Sequence, residues 1–245
     1  MNKLNVFVGK KIVFLERIDS TNNYTAKVFK SGAIDSGAVI LTDIQTNGRG
    51  QRGKEWHSDA FSNLTASIAG DLNLWKINNM ISLNHITALS LQAFLLKHTD
   101  NVKIKWPNDI MINDKKAVGI LIESHLNSTQ RKSIIGFGVN VNQQKFDAPR
   151  ATSLHLETGF NYNPKELIFE VIDAFNHFLN LYHEKGENWI HEQYNKQLWK
   201  LNENHTFTIS GTMKMGEISH STITGELIVQ FEGENQSFMN GQISY

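Results

Sequence analysis

VKIKWPNDIMINDKKAVGILIES, residues 102–124, decides what kind of sheet this chain builds. VKIKW alternates, so Val102, Ile104 and Trp106 share one face of a strand, and Pro107 then stops regular pairing and forces a bend. The polar residues after it, Asn108 and Asp109, are therefore delivered at a strand end. DIMIN and AVGILIES read as two strands joined by a tight polar turn around Asn113 to Lys115. SIIGFGVNVN (133–142) adds a buried strand with glycines inside it. Four strands between residues 102 and 142 leave no room for helical crossovers, so the sheet contains antiparallel pairs.

Outward from this centre, IVFLERI (12–18) reads as a strand, and the cluster Asp19, Ser20, Thr21, Asn22 supplies N-cap oxygens for a short helix ending near Gly32. AVILTDI (38–44) and NLTASIAG (63–70) read as two more strands. From Ser82 to Lys97, the positions Leu83, Ile86, Leu89, Ala93 and Leu96 follow helical spacing. Asn163 and Pro164 are an N-cap and N1 pair, opening a helix whose apolar stripe runs from Leu167 to Tyr182; a further helix is expected near 187–198. From 201 to 245, short strands recur with glycine punctuation, which predicts a small β-barrel after an α/β domain over 1–200.

The 245 residues are 40% hydrophobic, enough for a sizeable core. Lys plus Arg and Asp plus Glu each number 24, so no whole-protein field draws a polyanion and DNA is not an expected partner. With no cysteine, disulfides, thiolate metal sites and a cysteine nucleophile are excluded. No apolar run reaches signal-peptide or membrane-span length, so no membrane partner is expected and a cytoplasmic location is.

GRGQRG (48–53) matches the dinucleotide fingerprint letter for letter. The next ten residues, KEWHSDAFSN, have no helical period, whereas a Rossmann turn must open a helix. The loop instead carries its own cations, Arg49, Arg52 and Lys54, and ends in Trp56. Guanidinium forks grip carboxylate or phosphate oxygens and an indole offers a stacking face, which suits an anionic ligand with a flat ring. An exposed polar loop with a packed Trp is the plain alternative, and the loop alone does not choose between them.

KWPND (105–109), KKAVGILIE (115–123) and GFGVNVN (136–142) accompany GRGQRG in order, with DSTN (19–22) upstream. By these five motifs the chain resembles biotin protein ligases from about residue 12 to its end. The resemblance implies a class II synthetase-like catalytic domain over 1–200, a mixed and largely antiparallel α/β (α+β) sheet flanked by helices, and an SH3-like β domain over 201–245. No room precedes residue 12 for a winged-helix domain, so it implies the single-function form. It further implies biotin and ATP as substrates with Mg²⁺, biotinoyl-5′-AMP as intermediate, and a biotin carboxyl carrier protein as acceptor; a homodimer is a further expectation.

Carried over by motif, Lys116 stands near the biotin carboxylate and α-phosphate as an electrostatic catalyst, with Arg49 shared between biotin and the reacting groups. Ser20, Thr21, Asn22 and Gln45 supply short polar groups for the ureido ring, with Gly50, Gln51 and Gly119 beside them. Gln51 stands where many bacterial members carry Arg. Arg52, Trp56, Asn108, Asn140 and Asn142 fall to the nucleotide, and Asp109 to Mg²⁺ or ATP positioning. Gly48, Gly50 and Gly53 are expected as flexible points of a closing loop, and Gly119 with Gly136 to Gly138 as a close wall against the ligand.

Two rival readings remain at this level. A lipoate or octanoate ligase shares the implied fold and acyl-adenylate chemistry, and a non-catalytic RNA-binding module would use the basic loop and the C-terminal β-barrel. A hydrolase lacks its G-x-S-x-G elbow, and the ten histidines show no zinc spacing.

Overall fold

The computed structural model describes residues 7–126 and 131–245. The chain begins with β1 (Ile12–Ile18), α1 (Thr21–Lys30), two strands in succession, β2 (Val39–Gln45) and β3 (Leu64–Asp71), and α2 (Met80–Leu95). A meander comes next, β4 (Val102–Lys105), β5 (Asp109–Ile112), β6 (Lys115–Leu126) and β7 (Arg131–Val139). Three helices succeed it, α3 (Leu154–Thr158), α4 (Pro164–Lys185) and α5 (Glu187–Lys196). The last strands are β8 (Asn204–Ile209), β9 (Thr212–Ser221), β10 (Leu227–Phe231), β11 (Glu234–Phe238) and β12 (Ile243–Ser244).

Seven strands form one sheet in the order β1-β2-β3-β7-β6-β5-β4. Within it β1 and β2 run parallel, because α1 is the crossover between them; the other five pairs are antiparallel. The predicted turn after β5 is a two-residue connection with Asn113 and Asp114 both at positive φ (47° and 64°), the conformation a tight hairpin requires. Strands β8 to β12 make a separate five-stranded antiparallel sheet.

The two faces of the large sheet are covered unequally, and this creates the site. On β2, Val39 and Leu41 point into the main core with α2 and α4, while Ile40 points the other way into a small cluster with Phe29 of α1, Ala69 and Ile134. Helix α1 is short, ending at Lys30, so it covers only one end of its face. Residues further along the same face, two and four positions from Ile134 on β7, are Gly136 and Gly138. That uncovered half of the sheet is the floor of a cavity.

Cross-links from the C-terminal sheet close the far side. The Trp106 indole N–H donates to the Gly225 carbonyl (3.2 Å), and Lys105 Nζ donates to the Tyr245 carbonyl (2.5 Å). The bend after Trp106 is itself braced: the Pro107 carbonyl accepts from Asn84 Nδ2 (2.9 Å) and Tyr194 OH (3.1 Å).

Candidate active site

Strand register lines up the floor. Lys105 pairs with Asp109, Asp109 with Gly119, Gly119 with Gly138 and Gly138 with Thr65, one row across β4, β5, β6, β7 and β3. Lys116 is three residues from Gly119, and strict alternation would send it to the opposite face. A register shift between β5 and β6 prevents this: Val118 faces Ile110 but Lys116 faces Met111, leaving Ala117 as the extra residue of a bulge. The bulge turns Lys116 onto the cavity face, where its Nζ meets Asp109 Oδ1 at 2.7 Å and lies 5.7 Å from the Trp56 ring centroid. The backbone at 116 is fastened from the side, its N–H donating to Arg150 O (2.7 Å) and its carbonyl accepting from Thr152 N–H (2.9 Å).

The N-terminus of α1 forms one wall. Ser20 caps the helix, and Gln45 Oε1 accepts from both Thr21 N–H (2.9 Å) and Thr21 Oγ1 (3.2 Å). Asn22 is buried; its Oδ1 accepts from Ser67 Oγ (2.6 Å) and its Nδ2 donates to Glu123 Oε2 (2.8 Å). A Cβ at position 136 would overlap the Asn22 amide, so glycine is what lets this side chain lie against the sheet. At 119 and 138 a Cβ would strike the Trp56 indole, at 2.8 Å from its Cζ3 in the case of Gly119. The glycine floor therefore holds Asn22 and Trp56 close to the sheet, and Gly119, Gly136 and Gly138 also line the cavity, as expected of a close wall. The Trp56 indole N–H is buried there with no acceptor among the described residues.

The loop 48–56 forms the roof. Arg49 Nη2 pairs with Glu123 Oε2 at 2.7 Å. Arg52 stands in the left-handed region (φ 57°), its Nη1 donating to Asn240 O at 3.0 Å, and Gln51 Oε1 accepts from Asn240 Nδ2 at 2.7 Å. The segment before β12 thus supports the loop. The resulting cavity is about 670 Å³ and is lined by residues from all three regions, including Ser20, Gln45, Arg49, Gly50, Lys105 and Asn240. Burial lowers the Lys105 ammonium below its ordinary pKa, opposed in part by the Asp109 charge. A second cavity, about 730 Å³, lies beyond Trp56 and is lined by His57, Asn140, Lys145 and Phe146 among others. Gln45, Glu55, Trp56 and Lys116 border both.

Residues 14–140, more than half of the chain, match the model of the biotin/lipoate A/B protein ligase family. The chain belongs to that family. It is similar to the bifunctional ligase/repressor of Bacillus spizizenii, 33% identical over 177 residues that cover 69% of this chain and 53% of that protein, so the chain spans about half of that relative's length. It is also similar to the biotin–[acetyl-CoA-carboxylase] ligase of Paracoccus denitrificans, 33% identical over 66% of this chain and 70% of that one. Among solved structures, a biotin protein ligase from Aquifex aeolicus in complex with biotin and ATP superposes with a TM-score of 0.79 at 26% identity, over 96% of this chain and 98% of that one.

Of the residues picked out in the sequence of this ligase-family chain, Ser20, Thr21, Asn22, Gln45, Arg49, Gly50, Gln51, Arg52, Trp56, Asn108, Asp109, Lys116 and Gly119 all line the first cavity. Two stand apart. Asn140 borders only the second cavity, and its Nδ2 donates to Thr152 O (2.9 Å), beside the Lys116 bulge. Asn142 borders neither: its amide closes a two-way bond with the Tyr162 backbone (2.7 and 3.0 Å), so it braces a loop where the sequence reading had it on a nucleotide. Gly48 also differs from expectation, since a Cβ there would overlap the Trp56 carbonyl; it is a point of close packing, and flexibility is not its reason.

Unforeseen in the sequence were Lys105, Glu123 and the segment Asn240–Tyr245. Lys105 and Glu123 carried a signal, since their strand positions share a face with Asp109 and Gly119. Asn240 had none, because contacts across 188 residues leave no local pattern. Among the described residues no cluster of three His, Asp or Glu side chains is set to hold a resident metal, and no helix is long and apolar enough to cross a membrane. Asp109 alone is one carboxylate, which suits a Mg²⁺ ion that arrives with phosphate oxygens and water as its other ligands.

Proposed function

We propose that this chain activates biotin with MgATP to biotinoyl-5′-AMP and passes the biotinoyl group to a lysine of a biotin carboxyl carrier domain. The observation that carries this reading is Lys116, among the described residues the one Lys or Arg that borders both cavities. In the first step a carboxylate oxygen attacks the α-phosphorus and the bond to pyrophosphate breaks. Two anions must meet for this, and a fixed ammonium between them lowers the repulsion most where charge builds up in the transition state.

The division of the site follows from its chemistry. The first cavity, with Ser20, Gln45 and the helix α1 terminus, suits a neutral ureido ring; Gln45 has its amide N–H pair without a partner among the described residues. The nucleotide falls to the other part of the same cavity, lined by Arg52, Asn108 and Asp109, and the second cavity, with Asn140 and Lys145, adjoins it beyond Trp56. Trp56, bordering both cavities, offers its ring beside the Lys116 ammonium. Asp109 holds Lys116, and the cation of MgATP is its natural substitute partner. In the second step the carrier lysine's amine attacks the acyl carbon, AMP departs with the bonding electrons, and the amine loses its proton. The roof over the cavity keeps water from the mixed anhydride until then.

The test is direct. Purified protein is incubated with MgATP and biotin, lipoate or octanoate in turn, and acyl-AMP and pyrophosphate are sought by mass spectrometry. Product with biotin alone is expected; product with lipoate or octanoate instead overturns the acid assignment, and no product from folded protein overturns the reading altogether.

A further inference from the structure

Glu123 of β6 bonds at once to a side chain of α1 and to one of the roof loop. On β6 it lies on the same face as Gly119 and Leu121, paired with Ile134 of β7. Its Oε2 accepts from Asn22 Nδ2 at 2.8 Å and from Arg49 Nη2 at 2.7 Å. Asn22 is held in turn by Ser67 Oγ (2.6 Å) and by Leu121 O (3.3 Å). A hydrogen-bonded chain thus runs from the floor strand β3 through α1 to the roof loop, and a single carboxylate oxygen is its last link.

An exposed Arg–Glu pair contributes little by itself, because two long side chains must be ordered to form it. Here one partner is already ordered. The buried Asn22 amide fixes the carboxylate, so only the guanidinium has order to lose. Five N–H groups leave Arg49 with donors to spare after Glu123 is satisfied, and Arg49 lines the cavity.

We propose that Glu123 is a positioning residue: it sets Arg49 over the acyl pocket and couples occupancy of that pocket to the position of the loop. Contact between a ligand and Asn22 and movement of the loop through Arg49 act on the same oxygen, and such coupling is reciprocal. This rests on the acid-activating reading of the site.

The experiment compares wild type, Glu123→Gln and Glu123→Asp, alone and with Arg49→Ala. Two readouts are taken, the rate of limited trypsin cleavage after Arg49 or Lys54 without ligand, and KM for biotin against kcat for biotinoyl-AMP formation. Glu123→Gln is expected to speed loop cleavage several-fold and to raise KM about tenfold, the loss of one charge-assisted hydrogen bond, with kcat within about twofold. Glu123→Asp restores part of both, and Glu123→Gln adds nothing further to KM once Arg49 is Ala. Unchanged cleavage and KM, or a KM rise that persists undiminished beside Arg49→Ala, overturns the proposal. Should Glu123→Gln not fold, Glu123→Asp decides: values between wild type and Arg49→Ala support it, and values equal to wild type overturn it. A wild-type protein that forms no biotinoyl-AMP removes the ligase reading, while the cleavage arm still tests the tie between Glu123 and Arg49.

Discussion

Two glycine-bearing regions face each other across the cavity, and they use the residue in opposite ways. In the roof, Gly53 has a positive φ (77°) with nothing within 4 Å of where a Cβ would stand, so backbone conformation is its whole reason. In the floor, Gly136 and Gly138 lie in ordinary strand, and the reason is space, for the Asn22 amide and the Trp56 indole. The roof sets its cations on a turn that few residues adopt; the floor removes side chains so that neighbours come close to the sheet. Similar letters in GRGQRG and GFG thus report different physics, and substitution separates them.

Lys116 lies between the two regions and should show the largest effect. Lys116→Ala removes the ammonium and leaves Asp109 unpaired, at a residue whose backbone bonds to Arg150 and Thr152 are retained. A fall in acyl-AMP formation of roughly 10²–10³-fold is expected, the range for losing one preorganised electrostatic contact, with the melting temperature nearly unchanged. Normal turnover in single-turnover assays of this variant would remove Lys116 from the chemistry.

Floor substitutions come next. Gly138→Ala and Gly136→Ala each place a methyl group on a packed side chain, and overpacking of this kind costs roughly 1–3 kcal/mol. Thermal unfolding should shift down by roughly 2–4 °C for each kcal/mol in a chain of this size. Biotin affinity should fall in both, because Asn22 and Trp56 are the groups displaced. A variant with unchanged melting and unchanged affinity would mean that those side chains move aside freely.

The contrast between roof and floor also marks what could be read in the sequence. Alternation and turn chemistry sufficed for the strands: IVFLERI is β1 to the residue, and the Asn163–Pro164 start of α4 is observed. The polar cluster 19–22 gave the α1 cap, because a cap is a local bond. The aim of Lys116 was harder. Parity puts it on the wrong face, and only the bulge at Ala117, a property of pairing with β5, brings it to the cavity. The reach of Arg52 to Asn240 was not legible at all, since nothing near either residue encodes the other. Asn142 misled for the reverse reason: it stands in the same motif as Asn140, yet its side chain closes on Tyr162.

The smallest effect is expected in the roof, at Gly53. Alanine there meets no atom, so the core is undisturbed, but a left-handed backbone costs a residue with a Cβ about 1 kcal/mol. Because the loop is exposed, this cost falls on local order and leaves global unfolding alone. Gly53→Ala should therefore melt with wild type, cleave faster in the loop under trypsin, and show KM for biotin or MgATP raised about fivefold, the equivalent of that 1 kcal/mol. Gly53→Asn should be milder, since Asn enters the left-handed region more readily. If Gly53→Ala instead lowered the melting temperature as far as Gly138→Ala does, the roof would be packed as tightly as the floor, and the distinction between conformational and steric glycine would fail at this site.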